Sequence, residues 1–531
     1  MSETTKFGPL IGAIDEGTSS ARFIIFKANS AEVVAYHQKE LSQHFPQEGW
    51  VEQDPCEILE VVTVCVQKAY KVLFLELFQD IKAVGVTNQR ETTIVWDRNT
   101  GKPLHNAIVW LDMRTASTID KLLDTVPNKT RNKNYLKPLC GLPLSPYFSA
   151  VKLRWLSDNV EAVKNAMKKG TCCFGTVDTW IIWNLTGGPN GGKHITDVSN
   201  ASRTMIMNIE NLDWDPLLLK FFEVPKSVLP EIKSSSEVYG YISEGPLAGI
   251  PISGCLGDQQ AALVGQMCLQ KGQAKATYGT GCFVLYNTGD IRVNSSRGLL
   301  TTVAYQLGNK TQPHYALEGS VNNIGLLEST KDSQSVAEKA TENGSVVFVP
   351  AFSGLYAPYW RQDARGVICG ITEDTNFNHI IKAALEAVCY QVRDILDAMN
   401  EDCGIPLFEK SLRQNKITFQ VDGGMTSNAL VMQMQADLIG INVNRAGFTE
   451  STALGAALVA YWGVEPSKRG TAIPMISGTS YTPQISDDER DMRYKQWKMA
   501  VDRSLERKFH NLHTPYFYTT SFYHVSVVIL L

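Results

Sequence analysis

SGCLGDQQAALVGQMCLQKGQAKATYGTGC, residues 253–282, contains two glycine-bounded turns joined by a short apolar segment. Gly257-Asp258-Gln259 places a carboxylate and an amide just after a glycine, where the backbone can turn sharply and present both side chains to a cleft. Thr277-Tyr278-Gly279-Thr280-Gly281 offers hydroxyls and backbone N–H groups that can face an anion, because few large side chains intervene. A carboxylate beside a phosphate cradle indicates phosphoryl transfer. Each motif alone is equally compatible with an ordinary loop turn.

The composition is that of a soluble globular protein. The chain has 531 residues, enough for two or three domains that each bury a core. Its formal net charge of -4 gives no basic field of the kind that attracts polynucleotides, so nucleic-acid binding is not expected. The 11 cysteines are scattered without a C-x-x-C pair or histidines at metal-ligand spacing, which is typical of reduced thiols in a cytosolic protein. We see no secretory signal and no apolar run long enough to span a membrane.

The N-terminal region predicts a hairpin with a polar turn. An apolar run from Leu10 to Ile14 precedes Asp15-Glu16-Gly17-Thr18-Ser19-Ser20, and strand-like residues 22–26 follow. This turn carries an acid, a glycine and three hydroxyls, so it could hold a metal-bound phosphate, with Asp15 serving Mg²⁺ through oxygen ligands or water. An ordinary polar hairpin turn is the alternative.

A second candidate site follows the predicted strand 81–86. Arg90 and Glu91 are adjacent at the strand end and could grip a small polyol, because one donates to hydroxyls and the other accepts from them. A surface charge pair is the alternative. Tyr147 begins a segment with helical spacing, residues 147–159, and is either a ligand contact or the edge of a core.

Further motifs lie in the second half of the chain. Helical periodicity predicts a helix over residues 380–399, and strand 418–421 leads into Asp422-Gly423-Gly424, a glycine turn against which a base and ribose could lie. Residues 187–194 almost match the phosphate loop G-x-x-x-x-G-K-[ST]. His194 stands where the Mg²⁺-ligating hydroxyl belongs, so a phosphate loop is not expected.

These strings, in this order and without a Walker lysine, resemble the actin-like, ribonuclease-H-like phosphotransferases, and among them the sugar kinases of the FGGY family. The strings that carry the resemblance are Asp15-x-Gly17-Thr18-Ser19-Ser20, Asn88-Gln89-Arg90-Glu91-Thr92, Gly257-Asp258-Gln259-Gln260, Thr277-Tyr278-Gly279-Thr280-Gly281-Cys282, Phe352-Ser353-Gly354-Leu355 through Ala357-Pro358-Tyr359-Trp360, and Asp422-Gly423-Gly424. The resemblance implies an α/β fold with two actin-like (ribonuclease-H-like) ATPase domains flanking a catalytic cleft. Residues 1–256 are expected to form the substrate and phosphate side, 257–465 the nucleotide side and 466–531 a C-terminal extension.

The implied reaction is ATP-dependent transfer of the γ-phosphoryl group to a terminal hydroxyl of glycerol, giving sn-glycerol 3-phosphate for glycerol catabolism and glycerolipid supply. By the same resemblance Asp258 is the general base, and Asp15 with Asp258 positions Mg²⁺. The implied glycerol contacts are Arg90, Glu91, Trp110, Tyr147, Asp258, Gln259 and Phe283. The implied ATP contacts are Thr18, Ser19, Ser20, Arg22, Thr280, Gly325, Gly424 and Asn428.

The chain departs from the family pattern on the nucleotide side. Glu16 and Ala276 stand where glutamine and asparagine are usual, and the segment after Ser320 is shorter by roughly ten residues, which loop-closure entropy tolerates. We expect Glu16→Gln to tighten ATP binding, since a second carboxylate beside Asp15 repels phosphate. Two alternatives remain open: a kinase for another polyol, and a catalytically weak glycerol-binding or scaffold homologue. A homodimer or homotetramer in the cytoplasm is expected. The aromatic and apolar tail 514–531 is either a packed or frayed end of the chain, the more common case, or a contact with the outer mitochondrial surface or a partner.

Overall fold

The computed structural model describes residues 8–72, 80–279, 281–322, 333–340, 346–351, 354–361, 363–404, 418–447, 450–471 and 478–505. Within these ranges two large β-sheets, each covered by helices, organise the chain. The aromatic string that begins at Phe352-Ser353 lies only partly inside the described residues, and the tail 514–531 lies outside them.

The first sheet has six strands. In order across the sheet they are Ser236–Tyr241, Pro251–Gly257, Ile81–Asn88, Leu10–Glu16, Ser20–Lys27 and Val33–Glu40. The three N-terminal strands pair antiparallel, whereas Ile81–Asn88 runs parallel to both of its neighbours. Parallel strands place their carboxyl ends at the same edge of a sheet, so residues that follow them meet there.

The second sheet has seven strands. In order across the sheet they are Leu300–Tyr305, His314–Asn322, Gly281–Gly289, Ala274–Tyr278, Thr418–Asp422, Asn442–Arg445 and Thr479–Tyr481. Its five central strands repeat the spatial order of the first sheet: an antiparallel hairpin with a third strand on one side, and two parallel strands on the other. The chain therefore builds the same sheet plan twice.

Helices connect and cover the sheets. The α-helices are Pro55–Val72, Ala116–Thr125, Lys137–Cys140, Ser149–Asn159, Glu161–Lys169, Val177–Leu185, Val198–Ala201, Pro216–Phe222, Asp258–Gly265, Ser333–Ala337, Phe377–Cys403, Ala429–Ile439, Ser451–Val464 and Asp487–Ser504. Short two-stranded pairs complete the fold: Glu52–Gln53 with Ala107–Ile108, Ile94–Asp97 with Cys172–Gly175, Ile195–Asp197 with Glu231–Lys233, Met207–Asn208 with Asp213–Trp214, and Val347–Val349 with Val367–Cys369. Within the described part of the chain, no helix has both the length and the apolar character needed to cross a membrane.

Two helices cross where the sheets meet. Helix Asp258–Gly265 and helix Ser451–Val464 approach so closely that a Cβ at Gly265 would lie 1.9 Å from the carbonyl oxygen of Ser451. In the same way, a Cβ at Gly455 would lie 1.8 Å from the carbonyl oxygen of Ala261. Only glycine permits this backbone contact, which joins the two halves of the chain beneath the cleft.

Most predicted elements are present. The hairpin around Asp15 and the helix over residues 380–399, which extends over Phe377–Cys403, are both confirmed. The interpretation of Gly257 as part of a turn is wrong. Strand Pro251–Gly257 pairs with Ile81–Asn88 and passes directly into helix Asp258–Gly265, with Gly257 in the extended region at φ -61°. Residues 188–190 form a single 3-10 turn before strand Ile195–Asp197, which agrees with the absence of a phosphate loop there.

Candidate active site

A cleft of about 670 Å³ opens between the two sheets. Eleven of the residues predicted as site residues line it: Asp15, Thr18, Arg22, Arg90, Glu91, Trp110, Tyr147, Asp258, Gln259, Phe283 and Gly424. They come from strand ends and loops of both sheets, which explains how residues far apart in sequence face one space.

Of the five other predicted site residues, three lie in the described part of the chain. Ser19 is exposed, and the buried Ser20 accepts a hydrogen bond at its Oγ from Nε2 of Gln38 at 3.1 Å. Asn428 caps helix Ala429–Ile439, where its Oδ1 accepts from the backbone N–H of Val431 at 3.1 Å. None of these three is among the residues that line the cleft. Thr280 and Gly325 lie outside the described residues.

Asp258 is the first residue of its helix, at the carboxyl end of strand Pro251–Gly257. Its Oδ1 lies 3.0 Å from Nε of Arg90 and accepts a hydrogen bond from the backbone N–H of Gln259 at 2.7 Å. A Cβ at Gly257 would lie 2.7 Å from the Arg90 side chain, so glycine makes room for the guanidinium beside the carboxylate. The Asp258 carboxylate is therefore held in a fixed orientation while about a third of its side chain remains exposed to the cleft.

A buried ion network supports the same end of the cleft. Both Nη atoms of Arg90 donate to the carboxylate of Glu318, at 2.8 and 2.7 Å. Arg203 donates from Nε to Glu91 and lies 3.3 Å from Glu318 through Nη1. Although burial raises the pKa of Glu318, Arg203 and Arg90 together lower it to about 2. The network thus keeps Glu318 ionised and fixes the side chains of Arg90 and Glu91.

Three aromatic rings form an apolar wall beside these charges. The ring centroid of Trp110 lies 5.4 Å from that of Tyr147 and 6.2 Å from that of Phe283. The guanidinium of Arg203 lies 5.6 Å from the centre of the Tyr147 ring, a cation–π arrangement. Burial raises the pKa of the Tyr147 phenol, so it remains a neutral donor and acceptor. Charged groups on one side and rings on the other suit a small polyol, with hydroxyls facing the charges and carbons facing the rings.

The hairpin turn lies next to this wall. Nε1 of Trp110 donates to Oγ1 of Thr18 at 2.9 Å, which connects the aromatic wall to the turn. Arg22 places Nε 3.5 Å from Asp15 and Nη1 2.6 Å from Glu450, a residue from the other half of the chain. A guanidinium between two carboxylates at a glycine-containing turn is a suitable group to receive a phosphate.

Burial changes the ionisation of the two acids in this turn. It raises the pKa of Asp15 to about 6; Arg22 opposes that rise, whereas Glu450 and Asp258 add to it. Burial likewise raises the pKa of Glu16 to about 8, against the hydrogen bond that its Oε1 accepts from Gln89 at 2.9 Å. The other oxygen of Glu16, Oε2, is buried without a hydrogen-bond partner. Glu16 is therefore mostly protonated at neutral pH, and it then resembles the glutamine usual in the family.

A polar network beneath the cleft anchors Gly257. The backbone N–H of Gly257 donates to Oγ of Ser199 at 2.9 Å, and Ser199 in turn donates to Asp197 at 2.9 Å. Asp197, Asp178 and Cys255 form the one described group of three whose ligand-type atoms lie within 4.8 Å of one another. All three are buried and none lines the cleft, and hydroxyl groups already donate to the carboxylates. This cluster serves as internal support for the strand that ends at Asp258.

The sequence motifs missed several charged residues of this site, among them Arg203, Lys275, Glu318, Arg445 and Glu450. Lys275 lies within residues 253–282, and Glu318 follows a strand-like run, yet neither carries a local signal of burial. The surface-pair interpretation of Arg90 and Glu91 is wrong, since their exposed fractions are 3% and 1%. Tyr147 both lines the cleft and packs against the core.

The chain belongs to the FGGY family of carbohydrate kinases: the N-terminal domain of that family matches residues 10–265, and the C-terminal domain matches residues 274–464. A probable glycerol kinase of Dictyostelium discoideum is 48% identical over 94% of this chain and 98% of its own length. A glycerol kinase of Arabidopsis thaliana is 48% identical over the same shares. The crystal structure of Plasmodium falciparum glycerol kinase with ADP has a TM-score of 0.84 at 36% identity, covering 94% of this chain and 100% of that one. These similarities and the doubled sheet confirm the predicted two-domain actin-like α/β fold.

Proposed function

We propose that this chain transfers the γ-phosphoryl group of ATP to a terminal hydroxyl of glycerol, giving sn-glycerol 3-phosphate and ADP. The observation that carries the proposal is the arrangement around Asp258. Its carboxylate, held by Arg90, lies between a small pocket of charges and rings and the hairpin turn with Asp15 and Arg22. The similarity to glycerol kinases over nearly the whole chain supports glycerol as the acceptor.

In this proposal Arg90, Glu91, Tyr147 and Gln259 orient the hydroxyls of glycerol, and Trp110 with Phe283 contacts its carbons. Asp258 accepts the proton of the attacking hydroxyl as the new P–O bond forms, which is the role of a positioned general base. Thr18 and Arg22 receive the transferring phosphoryl group, and the glycine turn at Gly424 lies against the nucleoside. Ser19, Ser20, Thr280, Gly325 and Asn428 remain proposed ATP contacts on the family resemblance alone.

Asp15 and Asp258 fit the requirements of a magnesium site. Carboxylate oxygens are the ligands Mg²⁺ prefers. Arg22 is shared between the carboxylates of Asp15 and Glu450, so the described residues at this end of the cleft place two acids on one guanidinium. A bound Mg²⁺ would neutralise charge on the phosphates. The side chains of the protein orient glycerol, and Asp258 accepts the proton.

The two walls of the pocket favour glycerol over larger polyols. Trp110, Tyr147 and Phe283 close one side, and the ion network of Arg90, Glu91, Arg203 and Glu318 closes the other. Glycerol places its three hydroxyls against the charges and its short carbon chain against the rings, which uses both walls. A weakly catalytic glycerol-binding homologue is the second candidate, favoured by the shortened segment after Ser320; a protonated Glu16 gives it no support at neutral pH.

The test is ADP release from Mg-ATP with and without glycerol. The proposal expects glycerol-dependent turnover, with xylulose and gluconate as weak acceptors, and only slow ATP hydrolysis when glycerol is omitted, because closure of the cleft excludes water. Asp258→Asn keeps the shape but removes the base, so turnover should fall at least about 100-fold. Equal hydrolysis with and without glycerol, or an active Asp258→Asn variant, contradicts the mechanism.

Thermal stabilisation separates the two candidate functions, because a ligand that binds the folded state raises its apparent stability. An active kinase should be stabilised by glycerol and by Mg-ATP separately. A scaffold homologue should be stabilised by glycerol alone, and turnover should then be absent.

The remaining parts of the proposal concern organisation. On the family resemblance we propose domain boundaries near residues 256 and 465, a homodimer or homotetramer, and a cytoplasmic location with the tail 514–531 contacting the outer mitochondrial surface. Light scattering after size-exclusion chromatography tests the assembly. Sedimentation with vesicles of outer-mitochondrial lipid composition, comparing the full chain with one ending at residue 505, tests the tail; equal sedimentation contradicts a membrane contact.

A further inference from the structure

Lys275 is a lysine with no exposed surface in strand Ala274–Tyr278. Its Nζ donates to Oε1 of Gln259 at 2.5 Å and to Oγ1 of Thr277 at 2.8 Å. Both partners line the cleft, whereas Lys275 itself does not. Burying a charged amine is costly unless it is paired and hydrogen-bonded, so a lysine at this position calls for a reason.

The chemistry of the two side chains fixes the orientation of the Gln259 amide. An ammonium group can only donate, so the oxygen of the amide must face Lys275. The amide nitrogen is then directed the other way, where Nε2 lies 3.3 Å from Oδ2 of Asp258. An ionised carboxylate can only accept a hydrogen bond. The contact at each end of the amide therefore requires the same orientation, with the oxygen toward Lys275 and the nitrogen toward Asp258.

The surrounding charges explain why a cation is retained here. Burial lowers the pKa of Lys275, while the neighbouring carboxylates Asp422 and Asp258 oppose that change. Asp422 lines the nucleotide side of the cleft and Asp258 the glycerol side. The hydrogen bonds of Lys275 go to Gln259 and Thr277, and its connection to Asp258 runs through Gln259, whose Nε2 lies 3.3 Å from Oδ2 of Asp258.

We propose that Lys275 is a positioning residue that holds the Gln259 amide with its N–H groups toward Asp258 and the glycerol pocket. This inference rests on the proposed function and extends it. One consequence is that Gln259 can only donate on the pocket side, so it meets an oxygen of glycerol that accepts. A second is that Oδ2 of Asp258 has a fixed donor, as Oδ1 has from Arg90.

The experiment compares Lys275→Met, Gln259→Leu and the double variant, with Lys271→Met as the matched control because Lys271 is an exposed lysine four positions earlier. Lys275→Met should lower kcat/KM for glycerol about tenfold to 100-fold, the size of effect expected when a reacting group is misplaced by about 1 Å. KM for Mg-ATP should stay within about twofold, and Lys271→Met should change neither parameter. The double variant should be no worse than Gln259→Leu alone, because Lys275 acts through that amide.

Losses that multiply in the double variant, or a loss that falls on Mg-ATP, overturn the inference. If Lys275→Met does not fold, Gln259→Glu is the substitute test. The new carboxylate keeps an acceptor for the ammonium group of Lys275 but removes the N–H groups of the amide. We therefore expect kcat/KM for glycerol to fall and the melting temperature to stay the same. Undiminished kcat/KM in Gln259→Glu overturns the inference as well.

The unsubstituted protein is assayed in parallel. Absence of its glycerol-dependent turnover counts against the proposed function, whereas normal turnover in both it and Lys275→Met counts against the inference alone.

Discussion

Arg90 and Glu318 form a two-point ion pair that joins the first sheet to the second. Nη1 of Arg90 lies 2.8 Å from Oε2 of Glu318, and Nη2 lies 2.7 Å from Oε1. Arg90 follows strand Ile81–Asn88, whereas Glu318 lies within strand His314–Asn322. The pair is buried, so each charge depends on the other, and the glycerol end of the cleft becomes part of both halves of the chain.

Glu318→Gln should therefore destabilise the protein. It leaves Arg90 and Arg203 buried with one compensating carboxylate fewer, and breaking a buried pair in this way costs about 3 kcal/mol in the free energy of unfolding. Urea denaturation measures this cost. The matched control is Glu401→Gln, whose partner Arg297 lies 2.8 Å away in an exposed pair; it should change the same free energy by less than about 1 kcal/mol. Equal effects of the two substitutions would argue against a supporting role for the network.

Glu450→Gln should tighten Mg-ATP binding. The carboxylate of Glu450 occupies Nη1 of Arg22 and adds negative charge near Asp15, both of which oppose phosphate. Removing one charge at this distance is worth about 1 kcal/mol, a few-fold in affinity. Calorimetric titration measures the affinity, and Glu32→Gln, at an exposed acid paired with Lys27, serves as the control. Weaker binding by Glu450→Gln would mean that the acid supports Arg22 and does not compete for it.

Glu16→Gln should show an effect that depends on pH. In the unfolded chain Glu16 ionises near its ordinary pKa of 4.5, whereas burial in the folded protein raises that pKa to about 8. Between these values the folded state holds a proton that the unfolded state has lost, so rising pH favours unfolding. The variant lacks this penalty. The difference between its melting temperature and that of the unsubstituted protein should therefore increase in favour of the variant as the pH is raised from about 5 to about 9.

The same substitution tests the effect of Glu16 on ATP. At about pH 7 the acid is protonated, so affinity for Mg-ATP should differ little between variant and unsubstituted protein. Near pH 9 the ionised acid repels phosphate, and the variant should bind more tightly. A difference of equal size at both pH values would contradict the role of protonation.

Trp110→Phe should lower activity with Mg-ATP, because it breaks the hydrogen bond that connects the aromatic wall to the hairpin turn. It keeps a ring against Tyr147 but removes the hydrogen bond from Nε1 to Thr18. The loss of one such bond is worth about 1 kcal/mol, so kcat/KM for Mg-ATP should fall about fivefold. Steady-state kinetics measure the change. Trp155→Phe, at a tryptophan outside the residues that line the cleft, should leave it unaltered.

Much of the fold could be predicted from short stretches of sequence. The hairpin at Asp15, helix Phe377–Cys403 and the glycine turn at Gly423 each depend on neighbours in the chain, namely apolar spacing and turn residues. The motif strings likewise identified the family, and the resemblance to that family pointed to eleven of the residues that line the cleft. The error at Gly257 arose because a glycine at a strand end has the same local appearance as a glycine in a turn.

The charge network could not be predicted in this way. Arg90 and Glu318 are 228 positions apart, and Arg203 and Glu91 are 112 apart. No local pattern marks Arg203, Glu318 or Lys275 as buried, because a charged residue is normally exposed and becomes buried only when a partner reaches it.

The sequence alone therefore determined the class of fold, the family and the chemical types of residue at the cleft, since these follow from local periodicity, turn chemistry and ordered motifs. Tertiary structure alone decided which charges pair, which acid is protonated and how Gln259 is oriented toward Asp258. The reason is physical: pKa values and hydrogen-bond directions depend on burial and on neighbours in space, and only the packed fold brings Lys275, Gln259 and Asp258 together.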